Sequence, residues 1–309
     1  MWLKYGVDID NQCLVSIEEV PRGKTQLVCL YCGGLLTAKK GQVKQHHFAH
    51  SEATCQPVAS RSVPTLPLYD DFNIQLSGQE LQQLKQLWRE YGEAPLIPWV
   101  PMRLVLSKLL VWHNEQPPGY QFTSLGKIPV GALPLRLFNQ VQETLLLTRL
   151  AELTQGWQRA KMLNLSTLNQ RAADLKMYRA QFSRILRLTL YFVEVCADGK
   201  TLYKIGVTQR AIAERMAEVE RDLRSHYQHL TLRTLGTWPH RGNVERYFKH
   251  RYQDNNYPIG SLTEYFQFER VEPVLQELYQ MQPKVLTTVE QEMLQSASIN
   301  DRIFGKGQD

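Results

Sequence analysis

The spacing of apolar and polar residues changes twice along the chain, and each change marks a predicted region. In residues 1–58 short apolar runs are broken by turns, and residues 2–7 and 13–17 predict a β-hairpin. In the region after residue 59 apolar side chains recur at the spacing of an α-helix instead. Helical spacing is found in residues 78–91, 102–112 and 133–153.

After residue 188 the spacing favours strands again. β-Branched and aromatic runs over residues 188–196 and 202–207 flank Asp198-Gly199, a dipeptide typical of two-residue β-turns. Such a turn pairs Ala197 with Lys200 and Val193 with Lys204. Because side chains alternate along a strand, Tyr191, Val193 and Lys204 are then expected to share one face. Helices are predicted over residues 211–224 and 244–252.

These patterns predict an α+β multidomain protein. A zinc-knuckle β module is expected in residues 1–58 and a basic helical region in residues 59–187. An α/β domain with a small antiparallel sheet is expected in residues 188–270, followed by a helical tail in residues 271–309.

Positive charge is concentrated in one part of the chain. The net charge is +6 and the isoelectric point is near 9.0. Between Arg149 and Arg187 there are eight basic residues and only two acidic ones. At helical spacing, Lys176, Arg179, Arg184 and Arg187 lie opposite an apolar stripe, which fits either a solvated face or contact with DNA phosphates.

The cysteine pattern and the hydropathy favour a cytoplasmic protein. No stretch of the sequence has the roughly 18 consecutive apolar residues of a membrane span, and the first ten residues lack the pattern of a signal peptide. Five cysteines, two of them in a Cys-x2-Cys pair, argue against a disulfide framework.

The Cys-x2-Cys pair predicts a structural zinc site. Cys29 and Cys32 are followed some 14 residues later by three histidines, and two thiolates with two imidazoles complete a tetrahedron around Zn²⁺. His47 and His50 are the preferred imidazole ligands, with His46 or Cys55 as alternatives. A reduced cysteine pair in a small core, beside exposed histidines, is the other interpretation.

The same segment resembles a known family. Residues 29–41, together with His47-Phe-Ala-His50, are similar to the N-terminal segment of competence-protein CoiA-like nucleases, over about 50 residues. The acidic motif of that family's nuclease core is not found in the helical middle region. The resemblance therefore implies a zinc module that contacts DNA, without that family's catalytic function.

A second resemblance covers about 80 residues near the C-terminus. The ordered motifs are residues 189–191, residues 203–208, Arg210 and Arg215, residues 243–245, and residues 263–266. Together they resemble the GIY-YIG nuclease superfamily, in particular its phage-type branch with Tyr-Lys-Ile-Gly. This implies a metal-dependent DNA endonuclease with a central three-stranded antiparallel sheet.

The resemblance also implies roles for individual residues. Tyr191 would act on or orient the attacking water, and Lys204 would lower the pKa of that phenol. Arg215 would hold the scissile phosphate, and Arg210 would contact phosphate nearby. Glu245 would bind one Mg²⁺ or Mn²⁺.

The sequence departs from the family at three places. Thr189 and Leu190 replace the Gly and Ile of the first triplet, Lys204 replaces the second tyrosine, and Lys249 replaces a common histidine. Two alternative functions therefore stay open. The chain would be a DNA-binding protein with an inactive nuclease fold, or a zinc-stabilised protein-interaction module.

Overall fold

The computed structural model describes residues 3–10, 13–41, 45–60, 63–95, 99–114 and 117–295. Its strands are β1 (Tyr5–Asp8), β2 (Leu14–Ser16), β3 (Gly23–Val28), β4 (Leu35–Lys39), β5 (His47–His50), β6 (Leu110–His113), β7 (Gly119–Phe122), β8 (Thr189–Ala197), β9 (Lys200–Thr208), β10 (Leu230–Trp238) and β11 (Tyr265–Phe266). Its helices are α1 (Gln56–Ala59), α2 (Gly78–Tyr91), α3 (Met102–Leu106), α4 (Ser124–Lys127), α5 (Leu135–Met162), α6 (Leu168–Arg187), α7 (Ile212–Leu223), α8 (Val244–Arg251) and α9 (Glu272–Tyr279). Residues 288–295 are also helical. The predicted mixed α+β class is confirmed, with three small antiparallel sheets.

The chain forms two compact units. The first comprises residues 1–66, 146–184 and 286–309, and the second comprises residues 67–145 and 185–285. Within the described ranges, no helix is long and apolar enough to cross a membrane.

A five-stranded antiparallel sheet, ordered β2-β1-β3-β4-β5, forms the first unit together with parts of α5 and α6. The predicted N-terminal hairpin is confirmed where the chain is described, because Val7 of β1 pairs with Leu14 of β2. Trp2 lies outside the described residues, as do residues 296–309 of the predicted tail. The sheet's apolar face packs with Met177 of α6 in a core that includes Leu3, Leu36 and Phe48. Removing each such side chain from water stabilises the fold by about 1.5–3 kcal/mol.

A four-stranded antiparallel sheet, ordered β10-β8-β9-β11, is the centre of the second unit. The predicted register is confirmed, with Ala197 opposite Lys200 and Val193 opposite Lys204. Asp198 and Gly199 have φ angles of 47° and 81°, the left-handed pair that a type I′ turn requires. The sheet has one strand more than the family resemblance implied, because the two-residue strand β11 pairs with β9.

Both faces of β8 are buried, which explains its nearly continuous apolar sequence. Leu190 and Phe192 point to the side covered by Val244 and Phe248 of α8. Tyr191, Val193 and Val195 point to the other side, which Val219 and Leu223 of α7 cover. The alternation predicted from the sequence therefore places Tyr191 beneath α7.

One predicted helix is wrong in part. The prediction for α2 is confirmed, but residues 102–112 form the short helix α3 followed by strand β6. Lys108 has a φ of 58°, which ends the helix, and Leu110 then pairs with Phe122 of β7. A short apolar run fits a buried strand as well as a helix, and tertiary packing with Leu84 and Phe122 decides it here.

Candidate functional site

Four metal-binding side chains come together in the first unit. The ligand atoms of Cys29, Cys32, His50 and Cys55 all lie within 4.8 Å of one another. The Cys32 Sγ is 3.3 Å from the His50 Nε2, and the Cys29 Sγ is 3.9 Å from the Cys55 Sγ. A tetrahedron with Zn–S bonds of about 2.3 Å and Zn–N bonds of about 2.0 Å places its ligands roughly 3.5–3.8 Å apart. The cluster therefore has the size and chemistry to hold a zinc ion.

The turn between β3 and β4 prepares the first two thiols for a metal. The backbone N–H of Tyr31 donates to the Cys29 Sγ, and that of Gly34 donates to the Cys32 Sγ, each at 3.4 Å. Gly33 provides the positive φ of 73° that this tight turn needs. Burial raises the pKa of the Cys29 thiol to about 12, so a nearby cation is needed to keep it as a thiolate.

The structure differs from the preferred ligand set at one position. His47 and His50 are three residues apart on β5, so their side chains leave opposite faces of the strand. The His47 Nδ1 contacts the carbonyl of Gln45, 2.8 Å away, whereas His46 lies 3.2 Å from a carboxylate oxygen of Glu18. Cys55, at the start of α1, is the fourth member of the cluster instead of His47.

A buried tyrosine lies in the second unit where the motif at residues 189–191 meets the motif at residues 203–208. Tyr191 of β8 is opposite Gly206 of β9, and its ring lies directly over that glycine. A Cβ atom at position 206 would be only 2.3 Å from the Tyr191 hydroxyl oxygen. The glycine of the Tyr-Lys-Ile-Gly motif is therefore required by the phenol of the preceding strand.

The Tyr191 hydroxyl accepts a hydrogen bond from Arg215 of α7. The donor is the guanidinium Nε, at 3.2 Å. Burial raises the pKa of Tyr191 more than Arg215 lowers it, so the phenol is neutral at pH 7. The expectation that Lys204 lowers this pKa is not met, because Lys204 contacts Glu264 and the ring of Tyr265 instead.

Two guanidinium groups share one carboxylate beside the tyrosine. The Arg215 Nη1 donates to Glu218 Oε2 at 2.7 Å, and the Arg210 Nη2 donates to the same oxygen at 2.8 Å. Glu218 lies one helical turn from Arg215 on α7, a spacing at which a carboxylate and a guanidinium can meet. The arrangement presents two cations to one anionic group.

A second network joins α8 to the strand β11. The Lys249 Nζ donates to Glu245 Oε1 at 2.9 Å and to Glu264 Oε1 at 2.6 Å, and the Lys204 Nζ donates to Glu264 Oε2 at 2.8 Å. Burial acts to raise the pKa of Glu264, but the charges of Lys204 and Lys249 outweigh it and hold that pKa at about 2. The charges of Glu245 and Glu264 also act on the Tyr191 phenol, so the two networks are linked electrostatically.

The basic residues of α6 surround its buried stripe. Tyr178, Phe182 and Ile185 are buried as the helical pattern predicts. Among the predicted DNA contacts on this helix, Lys176 is exposed, whereas Arg179, Arg184 and Arg187 are partly exposed. This degree of exposure fits both a solvated helix face and a face that contacts DNA phosphates.

The motifs around this cluster match one family model. Residues 189–282 match the T5orf172 domain. This is a phage-associated domain related to the GIY-YIG/HNH-type nuclease group. The match covers under a third of the chain and includes Tyr191, Lys204, Arg215, Glu245 and Glu264. The T5orf172 domain indicates a DNA-binding or nuclease-like role. No curated protein and no solved structure was found to match the chain.

Two members of these sites, Glu218 and Glu264, had no role assigned from the sequence, and each joins two cations. Cys55, which the sequence offered only as an alternative ligand, completes the metal-binding cluster. Glu264 belongs to the motif at residues 263–266, and Glu218 lies one helical turn from Arg215, so the sequence indicated that both lie near the site. The sequence did not indicate which cations each carboxylate contacts.

Proposed function

We propose that the chain is a metal-dependent DNA endonuclease whose active site lies within the T5orf172 domain. The observation that carries the proposal is the clustering of a phenol, a guanidinium and a carboxylate from Tyr191, Arg215 and Glu245. These groups come from β8, α7 and α8. Arg215 donates to the Tyr191 hydroxyl, and the charge of Glu245 acts on the same phenol. Phosphodiester hydrolysis needs a positioned nucleophile, a cation for the phosphate and stabilisation of the leaving oxygen.

Arg215 is the residue proposed to bind the scissile phosphate. A guanidinium matches phosphate geometry through two parallel hydrogen bonds, and Glu218 is the anion that it holds in the absence of substrate. Phosphate is proposed to replace Glu218 on this guanidinium. The Tyr191 hydroxyl, which accepts a hydrogen bond from the Nε of the same guanidinium, is proposed to orient the attacking water. Arg210, on the same carboxylate, is proposed to contact phosphate as well.

Glu245 is the residue proposed to hold Mg²⁺ or Mn²⁺. Its Oε1 accepts from Lys249, whereas its other oxygen accepts no hydrogen bond in the part of the chain that is described. One carboxylate oxygen suits these ions, which complete their coordination with water and phosphate oxygens. The donor set therefore fits the ion. When bound, the ion would stabilise negative charge on the leaving oxygen.

The zinc module and the basic helix are proposed to position the duplex. The support for zinc is the ligand cluster of Cys29, Cys32, His50 and Cys55. The support for DNA contact by α6 is the row of Lys176, Arg179, Arg184 and Arg187, with the resemblance of residues 29–50 to CoiA-like segments. Small nuclease domains offer little surface, so additional contacts would set position along the DNA.

The proposal predicts that Glu245→Gln abolishes most nicking of supercoiled plasmid in Mg²⁺ or Mn²⁺. We expect a loss of roughly 100-fold or more, because the neutral amide binds a divalent cation much more weakly than the carboxylate does. The matched control is Glu269→Gln, which changes an exposed glutamate of the same domain and should nick normally.

Three other results would contradict the proposal, each in a different way. Equal nicking by the Glu245→Gln and wild-type proteins would reject the site. Salt-sensitive DNA binding by a wild-type protein that never nicks would indicate a non-catalytic DNA-binding protein. Weak DNA binding at any salt concentration would indicate a protein-interaction module.

A further inference from the structure

Lys249 contacts two carboxylates at the proposed active site, those of Glu245 and Glu264. Its ammonium nitrogen is 2.9 Å from Glu245 Oε1 and 2.6 Å from Glu264 Oε1. The side chains of Lys249 and Glu245 are 30% and 15% exposed, so water screens this contact only in part. A cation is therefore already bound to the carboxylate that is proposed to take the divalent ion.

The backbone fixes this arrangement from two directions. Glu245 and Lys249 are four residues apart on α8, a spacing that places a glutamate and a lysine side by side. Glu264 immediately precedes β11, whose first residue Tyr265 pairs with Lys204 of β9. The strand pairing therefore holds Glu264 between Lys204 and Lys249.

The formal charges of these four side chains sum to zero. The carboxylates of Glu245 and Glu264 are matched by the ammonium groups of Lys204 and Lys249. The Lys249 ammonium is within ion-pairing distance of both carboxylates. A divalent cation that approached Glu245 would meet an electrically neutral group and the repulsion of a nearby ammonium.

We propose that Lys249 competes with the divalent cation for Glu245, and that Glu264 positions Lys249 for this competition. This inference rests on the proposed function of the site. A substrate phosphate supplies the negative charge that the four side chains lack, and it gives the ammonium of Lys249 a second anion to contact. Binding of the ion and binding of DNA are then coupled, and each strengthens the other by the same factor.

Mn²⁺ binding to the full-length, zinc-loaded protein without DNA tests this proposal. Electron paramagnetic resonance of free Mn²⁺ would compare wild type with Lys249→Gln and Lys249→Met, two neutral replacements of similar length. We expect both variants to bind Mn²⁺ at least about tenfold more tightly than wild type. Lys249→Arg keeps the charge and should bind as weakly as wild type.

Two controls locate the effect. Adding Glu245→Gln to Lys249→Gln should remove the gained affinity, which shows that the ion uses Glu245. Lys200→Gln removes an exposed ammonium of the same sheet, one that contacts Tyr257, and should leave Mn²⁺ affinity unchanged.

Equal Mn²⁺ affinity of wild type and both neutral variants, with thermal unfolding showing that each is folded, would overturn the proposal. So would an affinity gain that survives in the double variant. These outcomes are separate from failure of the proposed nuclease function. A protein that never nicks DNA but gains Mn²⁺ affinity in Lys249→Gln supports the competition and rejects the nuclease.

Discussion

Replacing Arg215 with alanine is expected to slow nicking of supercoiled plasmid by on the order of 10³-fold. The physical reason is that this guanidinium is the cation in contact with the Tyr191 hydroxyl, at 3.2 Å. In the proposed function, this guanidinium stabilises the charge that develops on the phosphate as water attacks. Rates under single-turnover conditions, with protein in excess over plasmid, measure this effect separately from turnover.

Arg221→Ala is the matched control for this prediction. Arg221 lies on the same helix α7, is exposed, and should tolerate alanine with little change in rate. A folded Arg215→Ala protein that nicks as fast as Arg221→Ala would remove Arg215 from the mechanism.

Loss of Cys55, one of the four side chains that could hold a zinc ion, is expected to have the largest effect on stability. We expect Cys55→Ser protein to contain far less than the one zinc atom per chain predicted for wild type. Structural zinc contributes about 10–16 kcal/mol of binding free energy in zinc-finger peptides at pH 7. Losing even part of this should lower the melting temperature of the first unit by more than about 10 °C. Elemental analysis and calorimetry measure the two effects.

His47→Ala provides the comparison that separates the two ligand sets. The structure places His47 on the face of β5 opposite His50, so its removal should leave zinc content unchanged. Full zinc content in Cys55→Ser together with loss in His47→Ala would favour the set expected from the sequence. Absence of zinc from wild-type protein purified without chelators would reject the site.

The parts of the fold that depend on local spacing could be predicted from the sequence. The Asp198-Gly199 turn set the register of β8 and β9, and with it the face on which Tyr191 and Lys204 lie. The Cys29-x2-Cys32 pair likewise marked the cluster that could hold a zinc ion. In each case a short segment determines the geometry, because turn type and strand alternation leave little freedom.

The parts that depend on tertiary contacts could not be predicted. Nothing near Cys55 indicates that α1 begins beside the other ligands, and the partners of Glu264 come from β9 and α8. The spacing of His47 and His50 on β5 was informative, because side chains three residues apart on a strand point to opposite faces. Had residues 47–50 been recognised as a strand, His47 would have been excluded.

The family resemblance implied a third strand, but the sequence pattern did not locate it at β10, which has nine residues. Its residues 230–238 alternate poorly, and several are exposed. The strand exists because β8 offers an edge for pairing over almost its whole length. Pairing of this kind overrides a weak sequence pattern.

The central claim is that the Tyr191 hydroxyl belongs to a nuclease active site, and Tyr191→Phe tests it by removing one oxygen atom. The aromatic ring remains to pack against Val193 and Val219, so the fold should lose only about 1 kcal/mol with the hydrogen bond from Arg215. Nicking by Tyr191→Phe protein should fall by at least about 100-fold, while its affinity for uncut DNA stays within about twofold of wild type. Nicking at the wild-type rate by the folded phenylalanine variant would contradict this account.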